Sequence, residues 1–151
     1  MTARIPDTAT NPDVTTGVKH LYKGIYAAGV PQQILELIHL RASQINGCSF
    51  CVDSAAKGIA KAGMSTEKVI AVAAWHFNPV FDDAERAVLA LTEAATRLAD
   101  RPGAVTDEIW NEAAKHFNER QLNAIVMMVG LSNFFNRVNT TLRIEPGTAW
   151  N

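Results

Sequence analysis

Nowhere in this chain do polar and apolar residues alternate over the length that a half-buried strand needs. Apolar residues recur instead at three- and four-residue intervals, in blocks set apart by Gly29, Gly47, Gly63, Asn78-Pro79 and Arg101-Pro102-Gly103. That pattern predicts an all-α fold of about seven helices. No linker or internal repeat divides the chain, so residues 1–151 read as a single domain. The helices are expected over 13–28, 31–43, 48–63, 66–77, from Asp82 to about Leu98, from Thr106 to about Phe117, and 119–137. Ser65, Thr106 and Asn118 are placed to cap the helices that follow them, and Asp82 with Glu85 has the form of a capping box. Ile45-Asn46-Gly47 reads as a turn. Gly130, inside the last helix, reads as a point where a neighbouring backbone approaches closely.

Charge excludes several partners. Lys and Arg number 14 against 15 Asp and Glu, so no basic face exists for nucleic acid. No apolar window reaches the length of a membrane span. The N-terminal Met-Thr-Ala-Arg-Ile-Pro-Asp lacks a signal-peptide core, which predicts a cytoplasmic protein. Hydrophobic residues make up 48% and charged residues only 19%, against about a quarter charged in an ordinary soluble domain. Segments 31–43 and 119–137 are apolar beyond what one small domain hides, so a homo-oligomer is expected. The first dozen residues and the tail from Ile144 to Asn151 read as arms lying on a neighbouring subunit.

Two cysteines are present, Cys48 and Cys51, in Cys-Ser-Phe-Cys. Structural zinc needs four ligands, and His20, His39, His76 and His116 lack the companion spacing, so no metal and no cofactor are expected. A thioredoxin-type pair would sit beside a βαβ pattern, which is absent. What remains is a redox pair in a helical protein, or two inert buried thiols. Cysteine in a first helical turn lies among unpaired N–H groups that favour the reactive thiolate. Two cysteines three apart can then close a disulfide. Glu36 is the second unusual residue, interrupting the apolar run Ile-Leu-Glu-Leu-Ile-His-Leu. Desolvation there raises a carboxyl pKa toward that of a general base, unless an ion pair with Arg41 or a lysine claims it. His39, three residues on, shares its helix face.

Glu36, an eleven-residue gap and then Cys-x-x-Cys resembles the signature of the AhpD-like alkylhydroperoxidases of the carboxymuconolactone decarboxylase superfamily. Residues 36–53, Lys57 to Gly63, Asp82-Asp83-Ala84-Glu85-Arg86-Ala87 and Asn133-Phe134-Phe135-Asn136-Arg137 are similar to its single-domain branch. The resemblance implies thiol-dependent peroxide reduction without metal or haem, in a trimer or hexamer. Cys51 would attack the peroxide, Cys48 would resolve the product, and Glu36 would accept the proton. Electrons would come from a dithiol donor, a lipoyl or thioredoxin-like protein. Two positions depart from the pattern. The family histidine four residues after the second cysteine is Ala55 here, and the histidine found inside some CxxC motifs is Phe50. Ala55 implies a weakened or altered relay, for which His39 is the candidate substitute. A muconolactone-type lyase and a non-catalytic redox sensor are the alternatives.

Overall fold

Helix α2 (Gln32–Asn46) organises the molecule. Ile34, Leu35, Leu37, Ile38 and Leu40 make it apolar nearly all round, so it can be stable only with neighbours on several sides. The computed structural model, which describes residues 3–4 and 12–148, supplies them: α3 (Ser49–Lys61), α5 (Asp83–Thr96) and α7 (Glu119–Leu142) pack around it. Helix α1 (Pro12–Tyr26) lies on α7, α4 (Thr66–Ala71) runs directly into a 3₁₀ segment (Val72–Phe77), and α6 (Asp107–Ala114) packs on α5. No strand occurs among the described residues. The fold is all-α, as the periodicity requires.

The caps fall where the sequence places them. Ser65 accepts from the Lys68 N–H and Thr106 from that of Ile109, while Asp82–Glu85 and Asn118–Gln121 close reciprocal capping boxes. The departures have tertiary causes. Helix α2 runs through Ile45 and Asn46, and only Gly47, at φ 66°, turns the chain. Asn46 stays helical because its amide donates to Asn136 Oδ1 at 2.8 Å and Asn133 Oδ1 at 3.0 Å on α7. Asn136 in turn donates to Ser43 Oγ at 2.9 Å. These bonds fix the register of α7 against α2 and satisfy polar groups that would be costly to bury alone.

The helix expected over 66–77 breaks into α and 3₁₀ pieces, with Ala74 outside helical geometry (φ −133°, ψ 46°). The break lets the Trp75 indole donate to Glu93 Oε1 at 2.9 Å, where Arg41 also pairs. Helix α7 continues past Arg137 to Leu142 and ends at Arg143 in the left-handed region (φ 57°).

Three further expectations are corrected. No atom from a neighbouring element lies within 4 Å of a Cβ built on Gly130. The glycine opens an apolar cavity of about 440 Å³ with Leu21, Val126, Met127 and Phe134. The apolar excess of 31–43 is covered by the chain itself, whereas Leu21, Val126, Met127 and Phe134 on α1 and α7 stay exposed. Of the arms, Ile144 is buried on its own chain, its N–H bonded to Asn139 O at 3.0 Å. Residues 1–2, 5–11 and 149–151 lie outside the described residues.

Candidate redox site

Gly47 turns the chain into α3 and sets Cys48 at the helix N-cap. Caps are commonly oxygen side chains. Here Cys48 Sγ accepts from the Cys51 N–H at 3.3 Å. Cys48 and Cys51 are joined as a disulfide, their Cα atoms 5.3 Å apart, within the range such a bond requires. Cys51 stands in the first turn of α3, where the helix dipole favours a thiolate once the bond is reduced. Asn139 reaches across from α7 and donates Nδ2 to Cys51 Sγ at 3.4 Å. Both cysteines are only 1% exposed. Cys51 lines a cavity of about 360 Å³ with Tyr22, His39, Phe50, Ser54 and Phe135. Cys48 lines a separate, more polar one of about 590 Å³ with Ser49, Asn139 and Arg143.

Glu36 is buried on α2 and faces a third cavity, also of about 360 Å³. Its carboxylate accepts from the Tyr26 hydroxyl at 3.2 Å. Arg41 is committed to Glu93 instead, and among the described residues no cation pairs with Glu36. Burial therefore raises the Glu36 pKa, with the Tyr26 hydrogen bond pulling more weakly the other way. The Glu36 charge and burial push Tyr22 up to about 12, burial being the larger cause.

The carboxylate sits against Gly58 of α3. A Cβ on that residue would lie 2.5 Å from Glu36 Oε2 and 2.7 Å from Cδ. Gly58→Ala should therefore displace the carboxylate while improving helix propensity by about 0.5–1 kcal/mol. The expected result is an unchanged or raised melting temperature with slower chemistry at the Cys48–Cys51 pair. Parallel thermal denaturation and kinetics would check it, and a variant that keeps full activity would show that the position of Glu36 is unimportant.

The structure thus brings some of the sequence-predicted residues together and keeps others apart. Cys48 and Cys51 are bonded. His39 shares one cavity with Cys51 and another with Glu36; among the described residues Glu36 does not line the first, nor Cys51 the second. Ala55 is fully buried in the hydrophobic core and lines none of the cavities that hold Cys48, Cys51 or Glu36. Tyr22, Tyr26, Gly58 and Asn139 escape sequence reasoning. Only the i, i+4 spacing of the tyrosines and the three-residue repeat Asn133, Asn136, Asn139 hint at a shared face.

The model of the carboxymuconolactone decarboxylase family matches residues 12–94. The uncharacterised protein YdfG of Bacillus subtilis (strain 168) is 30% identical over 107 residues, 71% of each chain. The uncharacterised protein YnjA of Escherichia coli (strain K12) is 33% identical over 111 residues, 74% of this chain and 59% of YnjA. Among solved structures, a protein of unknown function from Agrobacterium tumefaciens, proposed to be the antioxidant defence protein AhpD, superposes with TM-score 0.88 at 30% identity. That match covers 98% of this chain and all of the other. The debrominase Bmp8 has the same fold, with TM-score 0.80 at 23% identity over 93% of this chain and 75% of its own.

Proposed function

The chain belongs to the carboxymuconolactone decarboxylase family, with an AhpD-like fold, and from that premise we propose that it reduces hydroperoxides through the Cys48–Cys51 pair. The observation that carries this reading is the bonded CxxC at the head of α3, with Cys51 facing a cavity and accepting a hydrogen bond from Asn139. In the reduced enzyme the Cys51 thiolate attacks one peroxide oxygen and the O–O bond breaks. The other oxygen leaves as alkoxide and takes a proton, giving the alcohol and a Cys51 sulfenic acid. The Cys48 thiol displaces water from that sulfur and closes the disulfide. A dithiol donor, a lipoyl or thioredoxin-like protein, returns the two electrons and is itself oxidised to a disulfide. Glu36 is the proton acceptor when Cys51 ionises.

The exposed apolar face of α1 and α7 is assigned to contacts between copies of the chain, in a trimer or hexamer. No described helix is long and apolar enough to cross a membrane, and the proposed compartment is the cytoplasm, whose reductants would recycle the pair.

The test is a thiol titration. Reduced protein given one equivalent of cumene hydroperoxide should lose two free thiols per chain with release of the alcohol. Thiols that survive the peroxide would reject the reading. Turnover of a muconolactone-type acid that persists without either cysteine would place the chain with the decarboxylases instead.

A further inference from the structure

The cavity at Cys51 and the cavity at Glu36 are separate, yet three side chains line both: Tyr22, His39 and Ser54. Bordering both the thiol's cavity and the carboxylate's, these three are the side chains placed to carry a proton between them. Resting on the peroxidase reading above, we propose that His39 is the proton-relay residue of this site, passing the Cys51 thiol proton to Glu36 and returning it to the departing alkoxide.

Chemistry selects His39 among the three. Tyr22 is held too far above neutral pH to exchange its proton readily, and a serine hydroxyl ionises less readily still. A hydroxyl relays through a single oxygen, whereas imidazole accepts on one nitrogen and donates from the other, on opposite sides of one ring. Burial lowers the His39 pKa to about 4, so the ring is neutral at working pH and presents both. Among the described residues no hydrogen bond or ion pair engages the ring, leaving both nitrogens for transfer. His39 also stands one turn beyond Glu36 on α2, the spacing at which helix neighbours meet.

The step balances without a charged intermediate on the ring. Through solvent in the cavity it shares with Cys51, one nitrogen accepts the thiol proton, while through solvent in the cavity it shares with Glu36 the other gives its own to the carboxylate. The products are a thiolate, a carboxylic acid and the second imidazole tautomer. After the O–O bond breaks the transfer runs in reverse. Glu36 protonates the ring, the ring protonates the alkoxide, and the first tautomer and the carboxylate are restored. The raised pKa of Glu36 suits it to hold that proton. The other titratable groups around the two cavities are Lys19, Tyr22 and Tyr26 of α1 and Lys57 and Lys61 of α3, while α7 contributes none.

The test compares the rate of Cys51 oxidation by cumene hydroperoxide, across pH, in the full-length wild type, His39→Gln and His39→Ala. Glutamine keeps a polar side chain but cannot shuttle a proton. His39→Gln should lower kcat/KM about 10²-fold or more, the usual scale of general acid–base catalysis, with little change in KM. His39→Ala should be rescued by added imidazole, the rescued rate tracking the neutral fraction of the imidazole. Melting temperatures measured alongside separate these effects from misfolding. A His39→Gln rate within twofold of wild type would overturn the relay and leave the peroxidase reading intact. Rescue that ignores the protonation state of imidazole would reduce His39 to a space-filling role. A wild type that does not consume peroxide would overturn both proposals.

Discussion

Cys51→Ser should abolish hydroperoxide turnover, and Cys48→Ser should allow one oxidation and then stop. The asymmetry follows from where the two sulfurs stand. Cys51 lies inside the first turn of α3, faces the cavity shared with His39, and accepts from Asn139. Each of these stabilises or serves a thiolate, the species that attacks. Cys48 is the N-cap, spends its sulfur on the Cys51 N–H, and opens on another cavity. A serine at 51 has no accessible anion near neutral pH, so turnover should fall at least about 10³-fold, to the uncatalysed background. Loss of stability does not explain such a result. The ring closed by the bond is very short, so its contribution to the oxidised fold is about 2 kcal/mol by the loop-closure relation. In the reduced state that contribution is absent from wild type and variant alike. Mass spectrometry with a sulfenic-acid trap should find the label on Cys51 of the Cys48→Ser protein. Label on Cys48 in the Cys51→Ser protein, with turnover retained, would exchange the two roles.

Helix periodicity and caps were legible because they are local. Asp82–Glu85 and Asn118–Gln121 specify their own geometry within four residues. The elements whose bounds differ from the local pattern depend on groups far away in the chain. Asn46 remains helical through Asn133 and Asn136, 87 and 90 residues on. The 66–77 segment bends because Glu93, itself held by Arg41, accepts from the Trp75 indole. The site divides in the same way. Cys48, Cys51 and Glu36 declare themselves by spacing and by a charge in an apolar run. Tyr26, Asn139 and Gly58 are ordinary residues until α1, α3 and α7 converge on them. Gly58 is the clearest case, since its value lies in a side chain it lacks, at a point of contact with Glu36 that no local pattern encodes.

Ala55→His, which restores the family pattern on paper, should destabilise the protein without raising its turnover. Ala55 is 0% exposed within the hydrophobic core formed by α2, α3, α5 and α7, and none of the cavities holding the candidate residues borders it. An imidazole there must force its neighbours apart, which costs about 1–3 kcal/mol, and leaves buried nitrogens unpaired at a similar cost. A total near 3–5 kcal/mol should lower the melting temperature of a chain this size by roughly 10 °C. The loss should deepen in acid. A histidine held neutral by burial has a folded pKa below its unfolded value of about 6.5. Below that pH the unfolded chain binds the extra proton, and stability falls by up to about 1.4 kcal/mol per pH unit until the folded pKa is reached. Thermal denaturation of reduced wild type and variant at pH 8 and pH 5 would measure both effects. The opposite outcome is equally informative. A variant of undiminished stability and higher turnover would mean that the core opens at position 55 and the family relay can be rebuilt there. His39 would then lose the argument that it replaces the missing histidine, because the seat of that histidine would still be intact.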